Sequence, residues 1–134
     1  MTMTGQCLCG AVNYSVDGDL QMTGVCHCKN CQRQAGSAYS VLFAISDDQV
    51  TINGDLKTYE DKADSGNVVH RHFCPECGSP IKSTLPTQPG MTYIKAGTLD
   101  DTSVLDPAVH FWTGSKQNWV TVDPDVPQIE ANPG

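Results

Sequence analysis

The stretch Cys26-His27-Cys28-Lys29-Asn30-Cys31 sets three thiols at spacings of two and three residues. Four more cysteines flank it, Cys7 and Cys9 upstream in GQCLCG, Cys74 and Cys77 downstream in FCPECG. Thiols at i and i+2 rarely meet the narrow geometry of a mutual disulfide, yet both can reach one metal ion. Two metal groups are therefore expected. Cys7, Cys9, Cys74 and Cys77 would close a tetrahedral four-sulfur site, and Cys26, Cys28 and Cys31 would hold a second ion with one coordination position left over. Zinc, two ions per chain, suits both groups, because thiolates without other signature ligands favour it and it needs no redox partner. A rubredoxin-like iron site usually joins two Cys-x-x-Cys pairs, and the outer group contains only one.

The left-over position is where chemistry is expected. Structural zinc sites are closed, whereas catalytic ones keep a place for water or substrate. The alternative is that His27, His70, His72 or His110 supplies a fourth ligand and closes the second site as well. His27 lies between two of the thiols and is expected to point away from a metal they share. Spacing alone does not fix which thiols group together. Three thiolates make zinc electron-rich and a modest Lewis acid, better at holding and activating a thiol than at ionising water. A thiol plus a small electrophile is the chemistry such a centre suits.

Short strands and turns must position these groups. Gly5 and Gly10 flank the first thiol pair and let it turn toward one point. Ala11 to Val16 alternates as a half-buried strand, Asp17-Gly18-Asp19 signals a turn, and Leu20 to Val25 reads as the return strand of a hairpin leading to the triplet. Gln32 to Ala35 is a short helical run capped by Gly36. Further strands are expected at Tyr39–Ile45, Gln49–Asn53, Leu56–Tyr59, Val68–Phe73, Pro80–Thr84 and Met91–Ala96. Glu60 to Asn67 is expected to be a polar loop, and another loop runs from Gly97 to Pro107. His110–Trp112 and Trp119–Val122 read as late extended segments. Residues 1–122 make one domain and 123–134 a Pro-rich extended tail. The class is mainly β.

Composition narrows the partners. A chain of 134 residues is one domain able to bury roughly two-thirds of its unfolded surface. Eight basic against 15 acidic residues give a formal charge of −7, which argues against nucleic acid. There is no apolar run long enough to cross a bilayer. The start, Met1-Thr2-Met3-Thr4-Gly5, has neither a charged nor an apolar signal region, so a cytoplasmic location is expected. In a reducing compartment an odd seven cysteines favour metal over a disulfide framework.

The order GQCLCGAV, CHCKNCQRQAGSAY, FCPECGSP, AGTLDD and HFWTGSKQNW resembles the glutathione-dependent formaldehyde-activating enzyme family, which includes the centromere protein V domain. The likeness runs from about Gly5 to Trp119. It implies an Mss4-like zinc-bearing β fold with short helical turns. By resemblance, Cys7, Cys9, Cys74 and Cys77 match structural zinc ligands, and Cys26, Cys28 and Cys31 match the ligands of a catalytic zinc. The implied activity is that of a carbon–sulfur lyase, forming S-(hydroxymethyl)glutathione from a glutathione-like thiol and a small aldehyde such as formaldehyde, or the reverse. Four thiolates on one zinc leave about −2 and three leave about −1, so an anionic thiol needs local cations. Lys29, Arg33, Arg71 and Lys116 are the candidates, with His110, Trp112 and Trp119 as possible pocket walls. The competing function is a non-catalytic two-zinc β module for partner binding or for metal and thiol handling.

Overall fold

Two sheets carry the cysteines. The computed structural model describes residues 2–63 and 65–131; residues 1, 64 and 132–134, the last three of them the end of the expected tail, lie outside the described residues. A three-stranded antiparallel sheet runs in the order β1 (Thr2–Gln6), β2 (Asn13–Asp17), β5 (Val50–Asn53). An eight-stranded sheet runs in the order β11 (Gln128–Ile129), β10 (Val109–Phe111), β3 (Met22–Cys26), β4 (Ser40–Ser46), β9 (Met91–Lys95), β8 (Pro80–Thr84), β7 (Val68–Phe73), β6 (Lys57–Lys62). Its pairs are antiparallel except β11 with β10 and β10 with β3. One α-helix, α1 (Lys29–Ala35), follows β3. No described helix is long and apolar enough to cross a membrane.

The core forms where the inward sides of alternating strands meet. Met3, Tyr14 and Val16 from the small sheet join Phe43, Ile45 and Ile94 from the large one, with Ala96 and Leu99 closing the cluster. Alternation of period two in β1, β2 and β8 drives this, since each strand offers one apolar side. A second cluster, Cys7, Val12, Cys74 and Ile81, sits where the two thiol pairs meet.

The expected hairpin is not formed. β2 pairs with β1 and β5, while β3 lies in the other sheet between β10 and β4. Thr23, Gly24 and Val25 are all buried, so β3 needs neighbours on both edges and cover on both faces, which a two-stranded excursion could not supply. The Gly18 turn thus crosses between sheets, with Leu20 packed against the first core cluster. The polar stretch expected as a loop from Glu60 is strand as far as Lys62, pairing Lys62 with Val68. It is an edge strand, where charged side chains are tolerated and discourage edge-to-edge association. Trp119–Val122 forms no strand, and the chain instead returns to the sheet at β11.

Gly54 shows how tightly the small sheet is tied to the first thiol pair. Its φ is +102°, and an added Cβ would lie 2.3 Å from the Ala11 carbonyl oxygen. Gly54→Ala therefore combines a disfavoured backbone with a backbone clash, and is expected to cost at least about 2 kcal/mol. For a domain of this size a thermal melt should fall by roughly 8 °C or more; an unchanged melting temperature would refute the constraint.

Candidate metal centres

The first centre is assembled from two loops far apart in sequence. Cys7 and Cys9 sit in the turn between β1 and β2, and Cys74 and Cys77 in the knuckle between β7 and β8. The four Sγ atoms lie within 4.8 Å of one another. Cys7 Sγ is 3.6 Å from Cys9 Sγ, and Cys9 Sγ is 3.8 Å from Cys74 Sγ. A tetrahedron with metal–sulfur bonds of ~2.3 Å has sulfur–sulfur edges of about 3.8 Å, so the residues fit a closed four-thiolate ion. Gly78, at φ +77°, turns the knuckle, and its N–H donates to the Cys74 carbonyl. The Val12 N–H donates to Cys7 Sγ at 3.3 Å. Ser79 Oγ joins the loops by accepting both the Leu8 N–H and the Cys77 thiol.

The second centre lies at the end of β3. Cys26 closes that strand, Cys28 is the N-cap of α1, and Cys31 projects from its first turn. Their Sγ atoms also lie within 4.8 Å of one another. The Cys31 N–H donates to Cys28 Sγ at 3.2 Å, so one thiol serves the helix end and the cluster at once. The helix begins three residues earlier than expected because this cap replaces an ordinary Ser or Asp. Its end at Gly36, in the left-handed conformation, is as expected. Cys28 and Cys31 are buried, and Cys26 is partly exposed.

None of the histidines joins this group. His27 is fully buried, but its Nε2 is hydrogen-bonded to His110 Nδ1 at 2.8 Å, and its ring packs edge-on to Tyr39. His72 is held between Thr58 and Thr84 on β6 and β8, with His70 stacked beside it. Burial, with Lys82 and His70 nearby, brings His72 down to about 4, so it stays neutral. Among the described residues the triplet thus has three protein donors and no fourth.

Two buried cations face the sulfurs. Arg71 is 4% exposed, pairs with Asp61 at 2.8 Å, and directs Nη1 toward Cys31 Sγ at 4.0 Å. Lys95, 5% exposed, donates to Ser40 Oγ at 2.6 Å. Burial pulls the Lys95 ammonium down to about 8, a loss that the Cys31, Cys26 and Cys28 sulfurs partly offset. Hydrogen bonds from Cys26 and Cys28, with Arg71 and Lys95 nearby, lower the pKa of Cys31. Cys26, beside the other two sulfurs, moves the opposite way. Asn30 fixes Asp61 through both carboxylate oxygens. Arg71 was expected to serve an incoming anion; it is instead engaged by Asp61 and the cluster.

The remaining expected residues lie around α1. Lys29, Arg33, Tyr39 and Trp119 line a groove of about 840 Å³ on the helix face away from Cys31. Lys116 donates to the Val120 carbonyl. Trp112 takes φ +59°, the single non-glycine residue with positive φ among those described, and turns the chain out of β10. That turn is clasped to α1 by Gln32, which donates to the Ser115 and His27 carbonyls and accepts from Gln117. Lys95, Asp61, Asn30 and Gln32 carried no sequence signal, since each residue type is ordinarily a surface one.

Comparison with known proteins agrees with this geometry. Residues 2–115 match the family described as glutathione-dependent formaldehyde-activating enzyme. A Halomonas elongata protein provisionally named as such an enzyme is 26% identical over 129 residues, covering 92% of this chain and 82% of that one. A Talaromyces marneffei protein with the same provisional name is 31% identical over 74 residues, 54% of this chain and 38% of that one. The crystal structure of a Rhodobacter sphaeroides protein superposes with a TM-score of 0.60 at 18% identity, over 94% of this chain and 99% of that one, a likeness of fold. With most of its length matched and its seven thiols gathered into two metal-ready groups, the chain belongs to the glutathione-dependent formaldehyde-activating enzyme family.

Proposed function

We propose that the chain is a zinc-dependent carbon–sulfur lyase that adds a glutathione-like thiol to a small aldehyde such as formaldehyde, giving S-(hydroxymethyl)glutathione, or reverses that addition. The observation that carries this reading is a largely buried triplet of thiols with no fourth protein donor among the described residues, in a chain that also gathers a second group of four. Cys7, Cys9, Cys74 and Cys77 hold a structural zinc, and Cys26, Cys28 and Cys31 hold the second. Zinc at the triplet supplies a position at which a thiol loses its proton near neutral pH.

The chain's own residues do the rest. Burial of Cys28 and Cys31 keeps water off two sides of the centre, and the partly exposed Cys26 leaves a path for the thiol. Arg71 and Lys95 offset the charge of three thiolates, which zinc alone leaves at about −1. A glutathione-like thiol is abundant and reduced in the cytoplasm, where the protein is placed on this reading.

Exchange spectroscopy by NMR tests the proposal. The zinc-loaded protein should accelerate interconversion of formaldehyde plus glutathione with the hydroxymethyl adduct at least about tenfold over buffer, an effect on the order of 1.4 kcal/mol. A rate equal to the uncatalysed one would rule out this substrate pair.

A further inference from the structure

One face of the large sheet carries buried polar groups that the described hydrogen bonds do not use up. Cross-strand register puts Cys26 beside Ser40, Leu42 beside Lys95, and Ser83 beside both Tyr93 and Arg71, so these side chains share one face. Ser40, Lys95, Arg71 and Ser83 are all at most 5% exposed. Arg71 pairs its Nε with Asp61 Oδ2, in the one ion pair among the described residues, and turns Nη1 toward Cys31 Sγ. Lys95 is different. Its only hydrogen bond among those residues goes to Ser40 Oγ, although an ammonium has three donors. Ser83 Oγ is buried with no hydrogen-bond partner among the described residues. Buried donors without acceptors are costly, and Lys95 shares its face with Cys26 of the thiol cluster that has a coordination position to spare.

We infer that Lys95 binds the oxygen of the aldehyde while the thiolate adds to its carbon, with Ser40 holding the ammonium in place. The inference rests on the thiol–aldehyde reading above and assigns the second half of its substrate. The thiolate lone pair forms the new carbon–sulfur bond, and the carbonyl π pair moves onto oxygen. The alkoxide so formed takes a proton from water, leaving hydroxide. Lys95 donates a hydrogen bond throughout and keeps its own protons. In the reverse direction the same contact steadies the oxygen as the carbon–sulfur bond breaks. Lys95 is then a catalytic residue, whereas Arg71, turned to Cys31 and Asp61, positions the thiolates.

Calorimetry and exchange kinetics on the zinc-loaded protein test this together. Thioacetate carries sulfur and oxygen on one carbon, as the adduct does; ethanethiol lacks the oxygen. Lys95→Met should weaken thioacetate about tenfold and ethanethiol less than about threefold, with both zinc ions retained. It should slow thiol–formaldehyde exchange roughly 100-fold, the usual effect of deleting one oxyanion donor, with the glutathione KM little changed. Lys95→Arg should recover part of the rate. Equal weakening of both probes, or loss of the second zinc, would make Lys95 a counter-ion only and overturn the inference. Undiminished exchange in Lys95→Met would overturn it too. If the wild-type chain shows the thioacetate preference but no formaldehyde exchange, the formaldehyde assignment fails and the oxygen site stands. Should Lys95→Met not fold, Ser40→Ala keeps the charge and frees the ammonium; an about fivefold loss of thioacetate preference is expected, and no loss would overturn the inference.

Discussion

Cys74→Ala is expected to leave the domain unfolded at ordinary temperature. Cys74 is fully buried at the junction of the two sheets, in one cluster with Cys7, Val12 and Ile81. The four-thiol group ties the β1–β2 turn to the β7–β8 knuckle, segments otherwise joined by little more than that cluster and the Leu8–Ser79 hydrogen bond. A structural zinc in small zinc peptides contributes on the order of 10 kcal/mol, and a whole domain is stable by only about 5–15 kcal/mol. Losing one ligand weakens the ion's hold and opens a cavity, and the two effects together exhaust the margin. Far-UV circular dichroism with zinc analysis checks this. A variant that melts within a few degrees of the wild type while holding two zinc ions would contradict the structural role.

Cys28→Ala should behave oppositely, folding but failing to react. The triplet hangs from the end of β3 and one short helix, outside both core clusters. The variant should lose one zinc of two and retain the sheet signature, and thiol–aldehyde exchange should fall to the uncatalysed rate. Its stability should drop by roughly 1 kcal/mol, because the Cys31 N–H loses the sulfur that caps it. Global unfolding would instead make the second centre structural and favour the non-catalytic module.

Much of this arrangement is legible in the sequence, and the exceptions have physical causes. Thiol spacing and flanking glycines predict the two groups that the fold brings together, because ligand chemistry admits few alternatives. Val68–Phe73 and Pro80–Thr84 are strands within the expected bounds, since alternation and a proline-bearing knuckle mark them. The separation of β2 and β3 into different sheets is not legible. A Gly18 turn between two alternating stretches serves a hairpin and a sheet crossing equally, and only the all-round burial of β3 decides. The strand β1 is also invisible, its Thr- and Gly-bearing sequence having just Met3 to bury among apolar residues. The site's polar frame is hardest to read. Lys95 belongs to a type that is almost always solvated, and only the register of β9 against β4 and β8 carries it to the sulfurs. Likewise spacing sets His27 aside but leaves His70, His72 and His110 open as a fourth ligand, and only the fold, which pairs His110 with His27 and His72 with Thr58 and Thr84, keeps them from the triplet.

The central claim is one closed centre and one that accepts an external thiol, and cadmium-113 NMR of the cadmium-loaded protein tests it most directly. Two resonances are expected. One should sit at the four-thiolate position and ignore added glutathione. The other should start upfield and move to the four-thiolate region as glutathione binds. Two resonances that both ignore the thiol, or a single one, would contradict the account.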